Sequence, residues 1–375
     1  MIDHCLKNQE CEELGVGWVE PIYSRSDVNK AGKFLVNNIE SLISSIISRD
    51  EEFDRQLDHH FDVFDNFRAA HAFPLNTLQI RLRAFTASID QNGIVAQRLK
   101  RLSSILYKLG RFPTMELWDM QDIGGCRAIV ASVGDVFRIE ELFRESSIKH
   151  KLAHYDNYIL EPRESGYRGV HLIYRYLSDK KSQKYNGMKI EIQLRTPIQH
   201  AWATAVETVD LFTKQALKSS AGKPQWERFF QLMGTIMAFR ENTSPVRNTP
   251  TNMKELTHQL KECADELQVI KTLRGFTTAL NVTRAESAKY RDAAFYLLSL
   301  DSSAEQLNIT GFRHGESKEA SEAYAEQESQ IRTGKTTNDA VLVSVDSIRN
   351  LERAYPNYFA DTKTFVEQLE RTLNI

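Results

Sequence analysis

Met188-Lys189-Ile190-Glu191-Ile192-Gln193-Leu194-Arg195-Thr196 decides the fold class of this chain. Ile190, Ile192 and Leu194 alternate with Glu191, Gln193 and Arg195, a period of two that predicts a strand with one apolar and one polar face. Two more stretches share its richness in Val, Ile and Tyr, Cys126 to Ser132 and Gly169 to Leu177, and read as strands. Between them Val136 to Glu145 reads as helix, and Pro197 opens another over Ile198 to Leu217. The middle of the chain is therefore expected to be a mixed β-sheet flanked by helices, an α/β (α+β) fold.

Working outward, Phe34, Leu35, Ile39, Leu42, Ile43, Ile46 and Ile47 recur at helical spacing, so about Asp27 to Phe67 is predicted helical. Asn76 to Ala87 fits helix or strand. Ala96 to Leu109 is predicted as an amphipathic helix stopped by Pro113. Lys218 to Pro224 has the composition of a linker. Helices are expected over Gln225–Arg240 and Asn252 to about Thr272. A small α/β module follows: strands at Ala293–Leu300, Gln306–Phe312 and Ala340–Val345, helices at Ser317–Arg332, near Leu351 and at Thr362–Leu373. This divides the chain into an N-terminal helical segment (1–67), a central domain (68–217) and a C-terminal extension of helices plus the small module (225–375).

Composition narrows the function classes. Lys and Arg number 48 against 50 Asp and Glu, a net charge of -2, so no global field announces a nucleic-acid or membrane partner. The four cysteines, Cys5, Cys11, Cys126 and Cys263, lack Cys-x-x-Cys spacing, which fits a reducing cytoplasm better than a disulfide framework or a zinc site. No signal core opens the chain and no apolar run approaches the ~20 residues of a membrane span. A soluble cytoplasmic protein is expected.

Four motifs, in order, carry chemistry. Arg98, Lys100, Ser104, Lys108 and Arg111 are spaced by two to four residues and would form a cationic ridge along one helix face. Such a ridge grips a triphosphate, or is simply a solvated basic face. Asp122 precedes Gly124-Gly125 and a strand carrying Arg127. A carboxylate there suits a magnesium ion bridging phosphates, or an ordinary turn leading into a strand. Gly166-Tyr167-Arg168-Gly169 precedes a strand with His171 near its start. Tyr167 there could hold its ring free for a base, with Arg168 and His171 toward phosphate or ribose, or the segment could be a hairpin turn with a half-buried Tyr. Glu191, Gln193 and Arg195 form either a solvated sheet face or a cleft floor, where Glu191 would be a second metal ligand or general base. His200, Trp202 and Glu207 follow on the next helix; Trp202 reads as core. Walker-type and kinase motifs are absent, so the set points to nonstandard phosphoryl chemistry governed by positioning and charge neutralisation.

In this order the motifs resemble the synthetase domain of the RelA/SpoT family over about Val95 to Lys214. The resemblance implies a nucleotidyltransferase-like sheet and magnesium-dependent transfer of pyrophosphate from ATP to the 3′-hydroxyl of GDP or GTP, yielding the alarmones ppGpp and pppGpp. It implies ATP phosphates on Arg98, Lys100, Ser104, Lys108, Arg111 and Arg127, and Mg2+ on Asp122 and Glu191. The acceptor side would be Tyr167, Arg168, His171, Gln193, Arg195 and His200. No His-Asp dipeptide occurs, so the family's hydrolase centre is not expected. A small stand-alone synthetase results, and homo-oligomers occur among such proteins. Toxin-type relatives, which modify the tRNA 3′ end or adenosine nucleotides and sometimes carry a neutralising C-terminal domain, are the alternative; a non-catalytic nucleotide sensor is the third reading. Tyr355-Pro356-Asn357-Tyr358-Phe359 is either an exposed recognition patch or, as favoured, packed on the core of its module.

Overall fold

The computed structural model describes residues 18–38, 51–213, 223–279, 281–284, 293–301, 306–332, 339–345, 348–359 and 361–374. Most of the predicted 218–224 linker, the apolar residues at 39–47, Cys5 and Cys11 lie outside them. Among the described residues, no helix is long and apolar enough to cross a membrane, and Cys126 and Cys263 are free thiols.

In chain order, α1 (Arg25–Asn37), α2 (Glu51–Ala70) and α3 (Ala72–Ile89) lead into β1 (Ile94–Leu99) and α4 (Leu102–Arg111). Then come β2 (Gly124–Ile129), α5 (Val133–Glu145), β3 (Lys151–Asn157), β4 (Val170–Arg175), β5 (Lys189–Arg195) and α6 (Pro197–Thr213). The C-terminal part holds α7 (Lys223–Arg240), α8 (Met253–Glu266), α9 (Val269–Ala279), β6 (Asn281–Arg284), β7 (Ala293–Asp301) and β8 (Gln306–Arg313). It closes with α10 (Ser317–Arg332), β9 (Asp339–Ser344), α11 (Ile348–Ala354), a 3₁₀ turn at Pro356–Phe359 and α12 (Lys363–Leu373).

One nine-stranded mixed sheet holds every described strand, in the order β3-β4-β5-β2-β1-β9-β7-β8-β6. The C-terminal strands thus continue the central sheet instead of forming one of their own. The join is an antiparallel pair in which Gln97 faces Ser344 and Arg98 faces Val343. β9 thus gives β1 a second neighbour beside β2 at the Gln97–Arg98 end of the strand.

One prediction is corrected here and one open choice is resolved. The Ala96–Leu109 helix is a strand followed by a helix: β1 puts Val95 and Leu99 on one face and Ile94 and Ala96 on the other, and α4 starts only at Leu102. The cations therefore do not share one helix face; Arg98 is on a strand, Lys100 on the connector and Lys108 on α4. The ambiguous Asn76–Ala87 segment lies within α3, whose Leu75, Leu78 and Leu82 pack on one sheet face at spacings of three and four. That face also carries Val95, Cys126, Ala128, Ile190, Ile192, Leu194 and Leu172 and is closed by α5. The opposite face has Ile94, Ala96 and Ile129 in a core shared with Val343, Leu351, Tyr355 and Tyr358. Tyr355 and Tyr358 are thus packed, as favoured.

A buried ion pair ties the C-terminal part to the N-terminal helices. Arg68 of α2 meets Glu328 of α10, and its Nη1 also donates to Tyr324 Oη at 3.0 Å. Both charged side chains are nearly inaccessible. Removing one partner strands a buried charge, whereas replacing both removes the desolvation cost as well. Arg68→Ala is expected to cost about 3–5 kcal/mol in urea unfolding, and Arg68→Met with Glu328→Leu to recover most of it. Equal losses in the single and double variants would show the pair contributes nothing specific.

Candidate active site

The polar face of β2 and β5 becomes a cleft because their register aligns it. Gly125 stands opposite Glu191 on one side and Arg98 on the other, and Arg127 opposite Gln193 and Ala96. On the far side His171 faces Gln193 and Ile173 faces Glu191. With no side chain at Gly125, the space between Arg98 and Glu191 stays open. A cavity of about 320 Å³ results, lined by Arg98, Lys100, Lys108, Asp122, Arg127, Tyr167, His171, Glu191, Gln193 and Arg195 from the predicted set. Ser104, Arg111, Arg168 and His200 are not among its lining residues.

At one end Asp122 sits in the turn before β2, fixed by Lys100 N–H donating to Ile123 O at 2.8 Å. Lys100 Nζ donates to one Asp122 oxygen at 2.9 Å and Lys108 Nζ to the other at 3.0 Å. Burial pushes the Asp122 carboxyl up, but the two ammonium groups outweigh it and hold it below the ordinary range. At the other end Glu191 Oε1 meets His171 Nδ1 at 3.0 Å, while Oε2 accepts from Gln193 Nε2 at 2.7 Å. Burial opposes ionisation of Glu191 and Asp122 repels it, yet His171 and Gln193 keep it below its usual value. His171, despite burial, is raised to about 9 by Tyr167 and Glu191.

Two acceptor-side expectations change. Tyr167 is not a free-standing ring. Its hydroxyl bonds His171 Nε2 and accepts from Arg195 Nη2 at 2.8 Å, and its ring meets Tyr158, His171 and Trp202 edge to face. Arg168 points away, because consecutive residues of the glycine-flanked turn face opposite ways. It is buried and donates to the carbonyls of Gly234, at 2.7 Å, and Ser244.

Arg127 and His200 meet the C-terminal segment. Arg127 Nη1 donates to Ala354 O at 3.2 Å, with its guanidinium 4.9 Å from the centre of the Tyr355 ring. His200 Nε2 lies 3.2 Å from Arg353 O, and burial with Arg127 and Arg195 nearby keeps the imidazole neutral. Burial and the neighbouring Arg98 and Arg195 also lower Arg127, whereas Glu207, Tyr358 and Tyr355 more than offset burial at Arg98. Arg195 Nη1 is buried without a partner among the described residues. Arg98, Arg127 and Arg195 thus line one cavity, with the Glu207 carboxylate favouring the charged form of Arg98 and Arg127.

Sequence reasoning missed Gln121, Asp156, Arg163 and Ile173. Asp156 lies on β3, whose exposed polar run lacks the alternation that marks a strand. Arg163 precedes the glycine turn by three residues and stacks on Tyr158 at 4.3 Å, a contact with no sequence signature.

Asp122, Asp156 and Glu191 are the carboxylates lining this cavity, and Asp122 and Glu191 are the pair that the sequence resemblance puts forward as metal ligands; among the described residues no cluster of three His, Cys, Asp or Glu ligands exists. Two hard oxygen donors fit magnesium, which commonly takes one or two carboxylates and completes its shell with phosphates and water. They do not suit zinc.

Residues 97–214 match the family model described as "Region found in RelA / SpoT proteins". The GTP pyrophosphokinase YjbM of Bacillus subtilis (strain 168) is 37% identical over 114 residues, covering 29% of this chain and 52% of that protein. The GTP pyrophosphokinase YwaC of the same organism is 29% identical over 112 residues, 28% of this chain and 52% of that protein. The chain thus spans about half the length of the curated relatives it matches. Among solved structures, small alarmone synthetase 1 of Bacillus subtilis bound to its product pppGpp aligns at 23% identity and a TM-score of 0.39, over 52% of this chain and 94% of that one.

The His171 value sets a pH dependence. A folded-state value near 9 against an unfolded one of 6.5 means the folded chain holds this proton more tightly. That stability is full below pH 6.5 and lost as pH rises through about 9. Denaturant titrations from pH 6.5 to 9.5 are expected to show falling stability, with a shallower fall in His171→Gln; an identical slope would refute the assignment.

Proposed function

We propose that this protein transfers the β,γ-pyrophosphate of ATP to the ribose 3′-hydroxyl of GDP or GTP, making ppGpp or pppGpp, with magnesium. The observation that carries the reading is one cavity holding Arg98, Lys100, Lys108, Arg127 and Asp122 opposite Tyr167, His171, Gln193 and Glu191, within the matched RelA/SpoT region. The 3′ oxygen bonds to the β-phosphorus of ATP and gives up its proton to Glu191 as that bond completes, the bond from that phosphorus to the α–β bridging oxygen breaks, and AMP leaves with that oxygen.

Each residue has a physical task in this scheme. Lys100 and Lys108, now neutralised by Asp122, exchange that carboxylate for phosphate oxygens as ATP enters. Asp122 and Glu191 would then hold magnesium, which neutralises charge on the moving phosphates. Glu191 is held low by His171 and Gln193, so it is better suited to accept a hydrogen bond from the 3′-hydroxyl and orient it than to take its proton early. A loose phosphoryl-transfer transition state asks for positioning before strong general base action. Protonated His171 and Arg195 fix the Tyr167 hydroxyl and thereby the ring's plane.

A second reading rests on the C-terminal cover. Ala354 and Tyr355 sit on Arg127, Tyr358 lies 5.8 Å from the Arg101 guanidinium, and the cavity of about 320 Å³ is at the small end of the ~300–1,000 Å³ of ligand pockets. Space for two nucleotides then requires this segment to move. A chain that covers its own donor site fits the toxin-type relatives, whose acceptor is the tRNA 3′ end or an adenosine nucleotide.

Purified protein with magnesium and γ-labelled ATP, offered GDP, GTP, AMP or deacylated tRNA, tests both readings. Label on GDP or GTP, reduced at least ~100-fold in Asp122→Ala and Glu191→Ala, is expected for the first. Label on tRNA or AMP alone supports the second. Tyr355→Ala is expected to raise transfer if the cover holds the donor site shut. No transfer in either form rejects the enzymatic reading.

A further inference from the structure

Gly234 stands in the middle of α7, where glycine costs about 1 kcal/mol relative to alanine. Its contact explains it. A Cβ at Gly234 would lie 3.0 Å from Gly166 O and 3.1 Å from Gly166 Cα. The partner glycine is equally confined: Gly166 has φ +97°, and a Cβ there would fall 2.8 Å from Phe230 O and 3.1 Å from Trp202 Cζ2. Two backbones therefore cross in direct contact, and the residue after the crossing is Tyr167.

Arg168 clamps the same crossing. Its guanidinium, 3% exposed, donates to Gly234 O at 2.7 Å and to Ser244 O. Glu241, just past α7, accepts from Gln199 Nε2 at 2.9 Å and from the Thr196 hydroxyl, which ties the helix end to the β5–α6 junction. Trp202 Nε1 donates to Phe230 O at 3.0 Å and its ring meets that of Tyr167 edge to face at 6.3 Å. Gly234, Glu241 and Ser244 all lie beyond the matched region 97–214.

We propose that α7 and the loop after it are part of the acceptor site: Gly234 and Arg168 are positioning residues that set the height of the Tyr167 loop over the cleft. This rests on the pyrophosphate-transfer reading and extends its machinery past the matched region. ATP, gripped at the Arg98–Lys108 end, should be indifferent to α7, while the acceptor should depend on it. Misplacement by about 1 Å can cost on the order of 100-fold in such a site.

The test is Gly234→Ala in the full chain, with Gly275→Ala as control, a glycine of α9 whose added Cβ meets nothing within 4 Å. Arg168→Lys is the second variant, keeping the charge but losing the two-carbonyl fork. Acceptor KM is expected to rise about tenfold or more in both Gly234→Ala and Arg168→Lys, with ATP KM within about twofold and Gly275→Ala unchanged. In chains labelled with 5-fluorotryptophan, the Trp202 resonance, assigned through Trp202→Phe, is expected to shift in Gly234→Ala and not in Gly275→Ala. An unmoved Trp202 signal, or a moved one with unaltered acceptor KM, overturns the proposal. If neither the wild type nor Tyr355→Ala transfers label to any acceptor, it is the functional reading that fails, and the clamp is decided on Trp202 alone.

Discussion

β1 has two neighbours, and most of this architecture follows from that. β2 pairs with β1 along its whole length, while β9 pairs with it at Gln97–Ser344 and Arg98–Val343 and with β7 over residues 339–344, so the C-terminal strands join the central sheet through that short seam. The same pairing delivers α11 and the following 3₁₀ turn to the polar face of β1 and β2. There Tyr355 and Tyr358 bury Ile94, Ala96 and Ile129 and reach the guanidiniums beside them. The Arg68–Glu328 pair anchors the far side of this assembly on α2.

Electrostatics sets the state of the cleft. Arg98, Arg127 and Arg195 are brought together at the cost of desolvation, and among them Arg127 is held below its ordinary value by burial and its neighbours. A peptide carbonyl and a tyrosine ring are weak substitutes for phosphate oxygens. Asp122, by contrast, is already neutralised by two lysines. The end of the cleft carrying Arg98, Lys100, Lys108 and Arg127 is therefore rich in cations whose present partners are protein groups. At the other end Glu191, His171, Tyr167 and Arg195 form one connected polar chain, with Arg195 Nη1 its buried atom lacking a partner among the described residues.

Much of the central sheet was legible because Ile190, Ile192 and Leu194 alternate with Glu191, Gln193 and Arg195, and one such strand fixes which side chains share a face. The basic segment was misread for a physical reason. Buried Ile105, Leu106 and Leu109 carry a strong helical signal that draws Arg98 and Lys100 into it, and β1 itself, with burial running from its first three residues to its last three, offers no clean alternation to oppose it. β3 escaped notice because it is an edge strand with four exposed residues at its start. Arg168 and His200 have the right chemistry for phosphate, but their orientation depends on Gly234, Ser244 and Arg353, tens to more than a hundred residues away. The packing of Tyr355 could be favoured from composition; that it packs against Arg127 could not, since nothing local encodes the β1–β9 pair.

The central claim is that a single site is shared by ATP and the C-terminal segment. Amide hydrogen exchange of the full chain, with and without a non-hydrolysable ATP analogue and magnesium, tests it most directly. The account predicts faster exchange over 348–359 when the analogue binds, alongside protection around Lys100, Lys108 and Arg127. Protection of those cations with unchanged exchange over 348–359 would contradict it.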